Sequence, residues 1–154
     1  MKLIRAGNES WLFELGHHEK KLLLQVLGLY PRIPTAARRL TRRGGLPDQE
    51  ASQKLLEEAL NDHRAENQRQ LERMLKQPRR LVPTTAGWHL SLSSGELEWL
   101  LQVLNDVRVG SWISLGAPEE RIPPLTENNA PDLWAMEVAG LFQMRLLEAM
   151  GGDK

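Results

Sequence analysis

Residues 95–116 read GELEWLLQVLNDVRVGSWISLG, and the rest of the chain is organised around this segment. Leucines and valines recur in it every three or four positions, which places them on one broad arc of an α-helix. Ser93 or Ser94 can cap the start of this helix, and Gly116 can end it. Because little of the circumference is polar, we expect the helix to be buried on more than one face.

Arg108 breaks the pattern of this helix, because the helical wheel places it on the apolar side beside Leu101 and Leu104. A guanidinium cannot shed its charge, so its burial requires a carboxylate or several carbonyl groups. Asn105 lies one turn earlier, within reach of its side chain. We therefore expect Arg108 to be neutralised inside the molecule as part of a structural network. The alternative interpretation is a site for an anion or for a partner's carboxylate.

The N-terminal residues have the pattern of a β-hairpin. Residues 2–6 and 11–15 are short runs on either side of Gly7-Asn8-Glu9-Ser10, and the second run alternates in polarity. Residues 88–92 alternate in the same way and are a candidate third strand. Since a lone hairpin is marginal in water, we expect it to pack on helices or to gain this third strand.

Three further segments have helical patterns. Residues 19–29 form a short apolar run that Pro31 ends, and residues 131–150 follow a proline-containing loop. Residues 47–77 carry the longest helical signal, with only a narrow apolar stripe. The chain therefore predicts a mainly α-helical α+β fold with about four substantial helices and a small antiparallel β-hairpin or three-stranded sheet. We expect one domain over residues 1–154, with the hairpin in 1–16 and the helical body in 17–150.

Two pairs of residues are candidates for an interaction surface. His63 and Asn67 occupy the apolar stripe of the long helix, where a polar residue can set the register of a partner helix. Trp134 and Leu141 lie one heptad apart on the last helix, although contact with another core element is the simpler explanation for them. A homodimer through the long helix or the last one is therefore expected.

A basic cluster offers a different function, nucleic-acid binding. It consists of Arg38, Arg39, Arg42 and Arg43. The chain as a whole has 20 basic and 20 acidic residues, and no aromatic side chains are interleaved with the cluster, so nucleic-acid binding is the less favoured alternative.

The sequence contains no strong motif for a catalytic, metal-binding or cofactor-binding site. The absence of cysteine excludes disulfides, thiolate metal sites and a cysteine nucleophile. The four histidines follow no metal-binding spacing, and no nucleophile elbow, phosphate-binding loop or dinucleotide fingerprint is present. We therefore expect no catalytic residue, metal or cofactor, and an enzyme with an unrecognised site near Arg108 remains a third alternative. No apolar run reaches the roughly 18 residues that span a bilayer, and the expected location is the cytoplasm.

The letters LNDVR at 104–108, within the helix described above, are similar to the signature of an uncharacterised bacterial family, catalogued as domain of unknown function two thousand and seventeen. The letters RRLT at 38–41 resemble a second stretch of that family. The resemblance spans most of the chain, but only the central helix is specific. The segment 42–46 departs from it, because the family has a more acidic run there.

This resemblance implies a set of polar residues that act together, namely Arg38, Arg39, Asn105, Asp106 and Arg108. We expect Asp106 or a nearby carboxylate to pair with Arg38 or Arg39. Genes of the family lie, in some bacteria, near that of an adaptor for an ATP-dependent protease, which implies a link to regulated proteolysis by analogy. The function expected from the whole sequence is a non-catalytic interaction or regulatory module.

Overall fold

The computed structural model describes residues 1–34 and 49–151 of the chain. The strands in this part are β1 (Lys2–Ala6), β2 (Ser10–Leu15), β3 (Leu81–Pro83) and β4 (Trp88–Ser93). The helices are α1 (His17–Leu27), α2 (Gln49–Leu75), α3 (Ser94–Ser114) and α4 (Ala130–Gly151). The predicted mainly helical α+β class is confirmed.

The four strands form one antiparallel sheet in the order β1-β2-β4-β3. Phe13 and Leu15 of β2, with Leu90 and Leu92 of β4, alternate onto the face that joins the core. The predicted hairpin and third strand are confirmed. The sheet has one strand more than the three expected, because Leu81–Pro83 pairs with β4 as a short edge strand. Proline is tolerated there because an edge strand leaves one side of its backbone unpaired.

The central helix α3 begins where its capping residues predict. The Ser93 hydroxyl accepts a hydrogen bond from the Glu96 N–H at 3.1 Å, and the Glu96 carboxylate accepts one from the Ser93 N–H at 2.8 Å. The apolar arc of α3 is buried, and the helix packs chiefly against α4. The sheet and α1 also contact α3, so this helix is buried on more than one side, as expected.

The long helix α2 is continuous over its 27 residues, a length of about 40 Å. Only Leu71 and Met74, near its C-terminal end, are buried in the core. The rest of α2 is exposed or half-buried, and Leu55 is 66% exposed. In the described part of the chain, the buried apolar contacts of α2 therefore come from its last turns.

Candidate functional site

Arg108 is exposed, and the prediction that it is buried is wrong. Its guanidinium donates a hydrogen bond to the side-chain oxygen of Asn105 at 2.9 Å, and no carboxylate pairs with it among residues 1–34 and 49–151. A methyl group added at Gly140 of α4 would lie 3.7 Å from Cδ of Arg108. The aliphatic part of Arg108 therefore crosses α4 at a glycine while the charge stays in water, which long basic side chains commonly do.

Asp106 bonds to the chain segment after α1, whereas Arg108 bonds to Asn105. Its Oδ1 accepts hydrogen bonds from the backbone N–H groups of Arg32 at 2.6 Å and Ile33 at 3.3 Å. One turn further along α3, a Cβ at Gly110 would lie 2.6 to 2.8 Å from atoms of Arg32, so only glycine admits this close approach. Asp106 and Gly110 together fix the segment after α1 onto α3.

The side chain of Arg32 extends this contact to α4, because its guanidinium pairs with Asp132. The Nε atom of Arg32 is buried and lacks a hydrogen-bond partner among the described residues. Arg32 and Asp132 are not recognisable as a pair in the sequence, because they are 100 positions apart and no short motif contains both. These contacts join the end of α1, α3 and α4.

The predicted five-residue polar set is therefore divided in the structure. Asn105 and Arg108 pair with each other, and Asp106 bonds to the segment after α1. Arg38 and Arg39 lie outside the described residues, as do Arg42 and Arg43 of the basic cluster. The expected pairing of Asp106 with one of the two arginines stays a prediction.

The other predicted pair on α2, His63 and Asn67, lines a cavity of about 200 Å³ that Tyr30, Arg64 and Asp106 also border. Burial raises the pKa of Tyr30, the Asp106 charge raises it further, and a hydrogen bond with Asn67 acts in the opposite direction. Arg64 donates a hydrogen bond to the carbonyl oxygen of Pro31 at 2.8 Å. His63 is exposed and Asn67 half-buried. Much of the polar lining is thus bonded to neighbouring protein atoms.

Trp134 and Leu141 lie on the side of α4 that faces away from the core. We use the term outer face of α4 for four exposed large apolar side chains: Trp134 (36% exposed), Leu141 (43%), Met144 (47%) and Leu147 (53%). Met150 (38%) is exposed as well, but it lies near the end of the helix, one turn after the buried Leu146 and on the same side. The opposite side of the same helix is buried in the core through Ala135, Ala139, Phe142 and Leu146. In the described part of the chain, neither Trp134 nor Leu141 belongs to the buried core.

Shallow grooves run on both sides of Met144. One is lined by Glu137, Val138, Gly140 and Leu141, together with Met144 itself. The other contains Arg108, Gln143, Leu147 and Glu148 beside the same Gly140 and Met144. The outer face of α4 therefore has a central ridge, two flanking depressions and charged residues of both signs at its rim.

Among residues 1–34 and 49–151, no group of three or more histidine, aspartate or glutamate side chains comes together in a way that could hold a metal ion. Within the same residues, no helix combines the length and the apolar character that crossing a bilayer requires.

Comparison with known proteins gives no match for this chain, whether against protein-family models, curated proteins or solved structures.

Proposed function

We propose that this protein is a non-catalytic interaction module and that the outer face of α4 binds its protein partner. One observation carries the proposal: four large apolar side chains on one side of a single helix, Trp134, Leu141, Met144 and Leu147, are between 36% and 53% exposed. Contiguous exposed apolar surface on a folded protein commonly marks a contact with another molecule. A helix that is apolar around nearly its whole circumference is usually covered on all sides.

The shape of the outer face suits a helix as the bound element. Side chains of one helix form ridges that fit the grooves of another, and α4 offers such grooves on each side of Met144. The homodimer expected from the sequence, through the long helix or the last one, is one instance of such a contact. The last helix is favoured over α2, because Leu55 is the only large apolar side chain of α2 that is strongly exposed in the described residues.

The roles of the polar residues favour a scaffold over a catalyst. Asp106 accepts two backbone hydrogen bonds, and Asp132 pairs with Arg32. Groups with such partners serve packing, and perturbed or clustered polar groups alone do not define an active site. The family resemblance implies a link to regulated proteolysis, and a surface for a protein partner is compatible with that role.

A photo-crosslinking amino acid at residue 144 tests the proposal in cells that produce the protein. We expect covalent adducts of protein mass from this position after illumination. The matched control carries the same amino acid at Glu72, an exposed position of α2. Equal adduct yields at the two positions, or none at residue 144, contradict the proposal.

A further inference from the structure

We infer that the partner of the outer face of α4 is α4 of a second copy of this chain, packed antiparallel about a two-fold axis near Leu141. This inference rests on the proposed function and specifies its partner. A two-fold interface brings the same surface of each copy together, so the surface must be complementary to itself.

The charges on α4 have this self-complementarity. The helix contains four charged side chains, and one of them, Asp132, is already paired with Arg32. Glu137 and Arg145 lie four positions before and four positions after Leu141. In an antiparallel pair centred on Leu141, Glu137 of each copy is level with Arg145 of the other, which gives two equivalent pairs of opposite charge. A parallel pair in register would instead place like charges at the same level.

Both charged groups are available for contacts with another molecule. Glu137 is exposed and forms no ion pair among the described residues. Arg145 contacts Glu148 at 3.5 Å, but these side chains are 50% and 57% exposed. Exposed pairs of this kind contribute little to stability, so Arg145 can exchange its partner at small cost.

The apolar positions nearest to Leu141 match under the same symmetry. Leu141 meets its own counterpart at the axis. Val138 and Met144 lie three positions on either side of it, so a large flexible side chain faces a smaller one. Trp134 and Glu148 lie seven positions on either side, so each indole ring is level with the aliphatic part of a glutamate. The two copies thus oppose complementary residues at each of these levels.

The test uses two charge reversals measured by sedimentation velocity. Wild-type protein should shift with concentration from 17.5 kDa toward twice that mass. Glu137→Arg places two positive charges at each paired level, and Arg145→Glu places two negative charges there. Each variant alone should therefore dimerise with a Kd at least about tenfold higher than that of wild type. An equimolar mixture of the two variants restores both opposite-charge pairs and should dimerise at least as tightly as wild type.

Glu120→Arg and Arg121→Glu, in the exposed segment before α4, are the matched controls and should dimerise as wild type does. Circular dichroism checks that every variant is folded. A wild type that is monomeric at all concentrations, single variants that dimerise normally, or a mixture that stays monomeric overturns the inference. Adducts from residue 144 to a different protein, together with a monomeric wild type, leave the proposed function standing and reject only the second copy as partner.

Discussion

Arg80 is 8% exposed and holds Glu96 through two hydrogen bonds of 2.6 Å, one from each terminal nitrogen of its guanidinium. The same side chain donates to the carbonyl oxygen of Met74 at 3.2 Å and to Gln77 at 2.6 Å. This one arginine therefore joins the end of α2 to the start of α3, beside the short edge strand β3. A buried guanidinium needs several acceptors of this kind, because it cannot lose its charge.

Arg80→Met should destabilise the fold markedly. The substitution preserves part of the apolar volume but removes Arg80 as donor to the Glu96 carboxylate and to three further acceptors, the Met74 and Ser91 carbonyl oxygens and the Gln77 side chain. We expect a loss of about 3 kcal/mol in the free energy of unfolding, the lower end for breaking a buried pair, since Glu96 is 27% exposed. Urea denaturation measures this change. Arg73→Ala removes an exposed pair with Glu66 and serves as the control, with an expected change within about 0.5 kcal/mol.

The ion pair between Arg80 and Glu96 predicts that the stability of the fold depends on pH. Burial by itself would raise the pKa of Glu96. Hydrogen bonds from Arg80 and from the Ser93 N–H act in the opposite direction, as does the charge of Arg80. Together they lower the pKa below its ordinary value of 4.5. A carboxyl group whose pKa is lower in the folded state stabilises the fold above the unfolded pKa and loses that contribution as pH falls through the folded value.

Glu96→Gln should therefore be less stable than wild type near neutral pH, and the difference should shrink as the pH falls below the ordinary carboxyl pKa of 4.5 and through the lower pKa of the folded state. Urea denaturation of both proteins at several pH values gives the comparison. A difference in the free energy of unfolding that stays constant from neutral to acid pH would show that the charge of Glu96 does not contribute.

Gly110→Ala tests the close approach of Arg32 to α3. The added methyl group would lie 2.6 Å from the carbonyl carbon of Arg32 and must displace the segment after α1. We expect a loss of about 2 kcal/mol in the free energy of unfolding, typical of overpacking. Gly95→Ala has open space around the new methyl group and should instead stabilise the protein by about 0.5 kcal/mol. The same sign of change in both variants would contradict this reading.

Asp106 and Arg108 should respond differently to alanine substitution, although they lie two positions apart. Asp106→Ala leaves the Arg32 and Ile33 N–H groups without their acceptor, and we expect a loss of about 2 kcal/mol. Arg108→Ala removes an exposed side chain whose described hydrogen bond goes to Asn105, so the change should stay within about 0.5 kcal/mol. Thermal or chemical unfolding distinguishes the two variants. Equal losses in the free energy of unfolding would indicate that Arg108 belongs to a buried network after all.

Local patterns in the sequence predicted the regular elements well. Ser93 and Glu96 form the reciprocal cap of α3, and the alternation of residues 88–92 corresponds to β4. Both signals are contained within a few residues, so no knowledge of the tertiary structure is needed to interpret them. Strand β3 has only three residues, which is too short to show alternation, and its pairing with β4 depends on tertiary structure.

The site residues were harder to predict, because a helical wheel gives an angle but not the neighbour found at that angle. Arg108 has the angle of a core residue, yet it crosses α4 at Gly140 and reaches water. Arg80 pairs with a carboxylate 16 positions away, and Arg32 pairs with one 100 positions away. No local sequence pattern encodes such separations. The apolar outer face of α4 was visible in the sequence through Trp134 and Leu141, but only the fold shows that the core lies on the opposite side.

The most direct measurement uses the absence of cysteine from the chain, since a single introduced thiol is then the only one present. Packed helices lie about 8 to 10 Å apart, so a bismaleimide with a spacer of similar length joins Leu141→Cys to its own copy when that residue lies at a two-fold axis. We expect rapid, concentration-dependent conversion of Leu141→Cys to a species of twice 17.5 kDa, and far slower conversion of Glu72→Cys on α2. Equal rates for the two variants, or no cross-linked product from Leu141→Cys, would contradict this expectation.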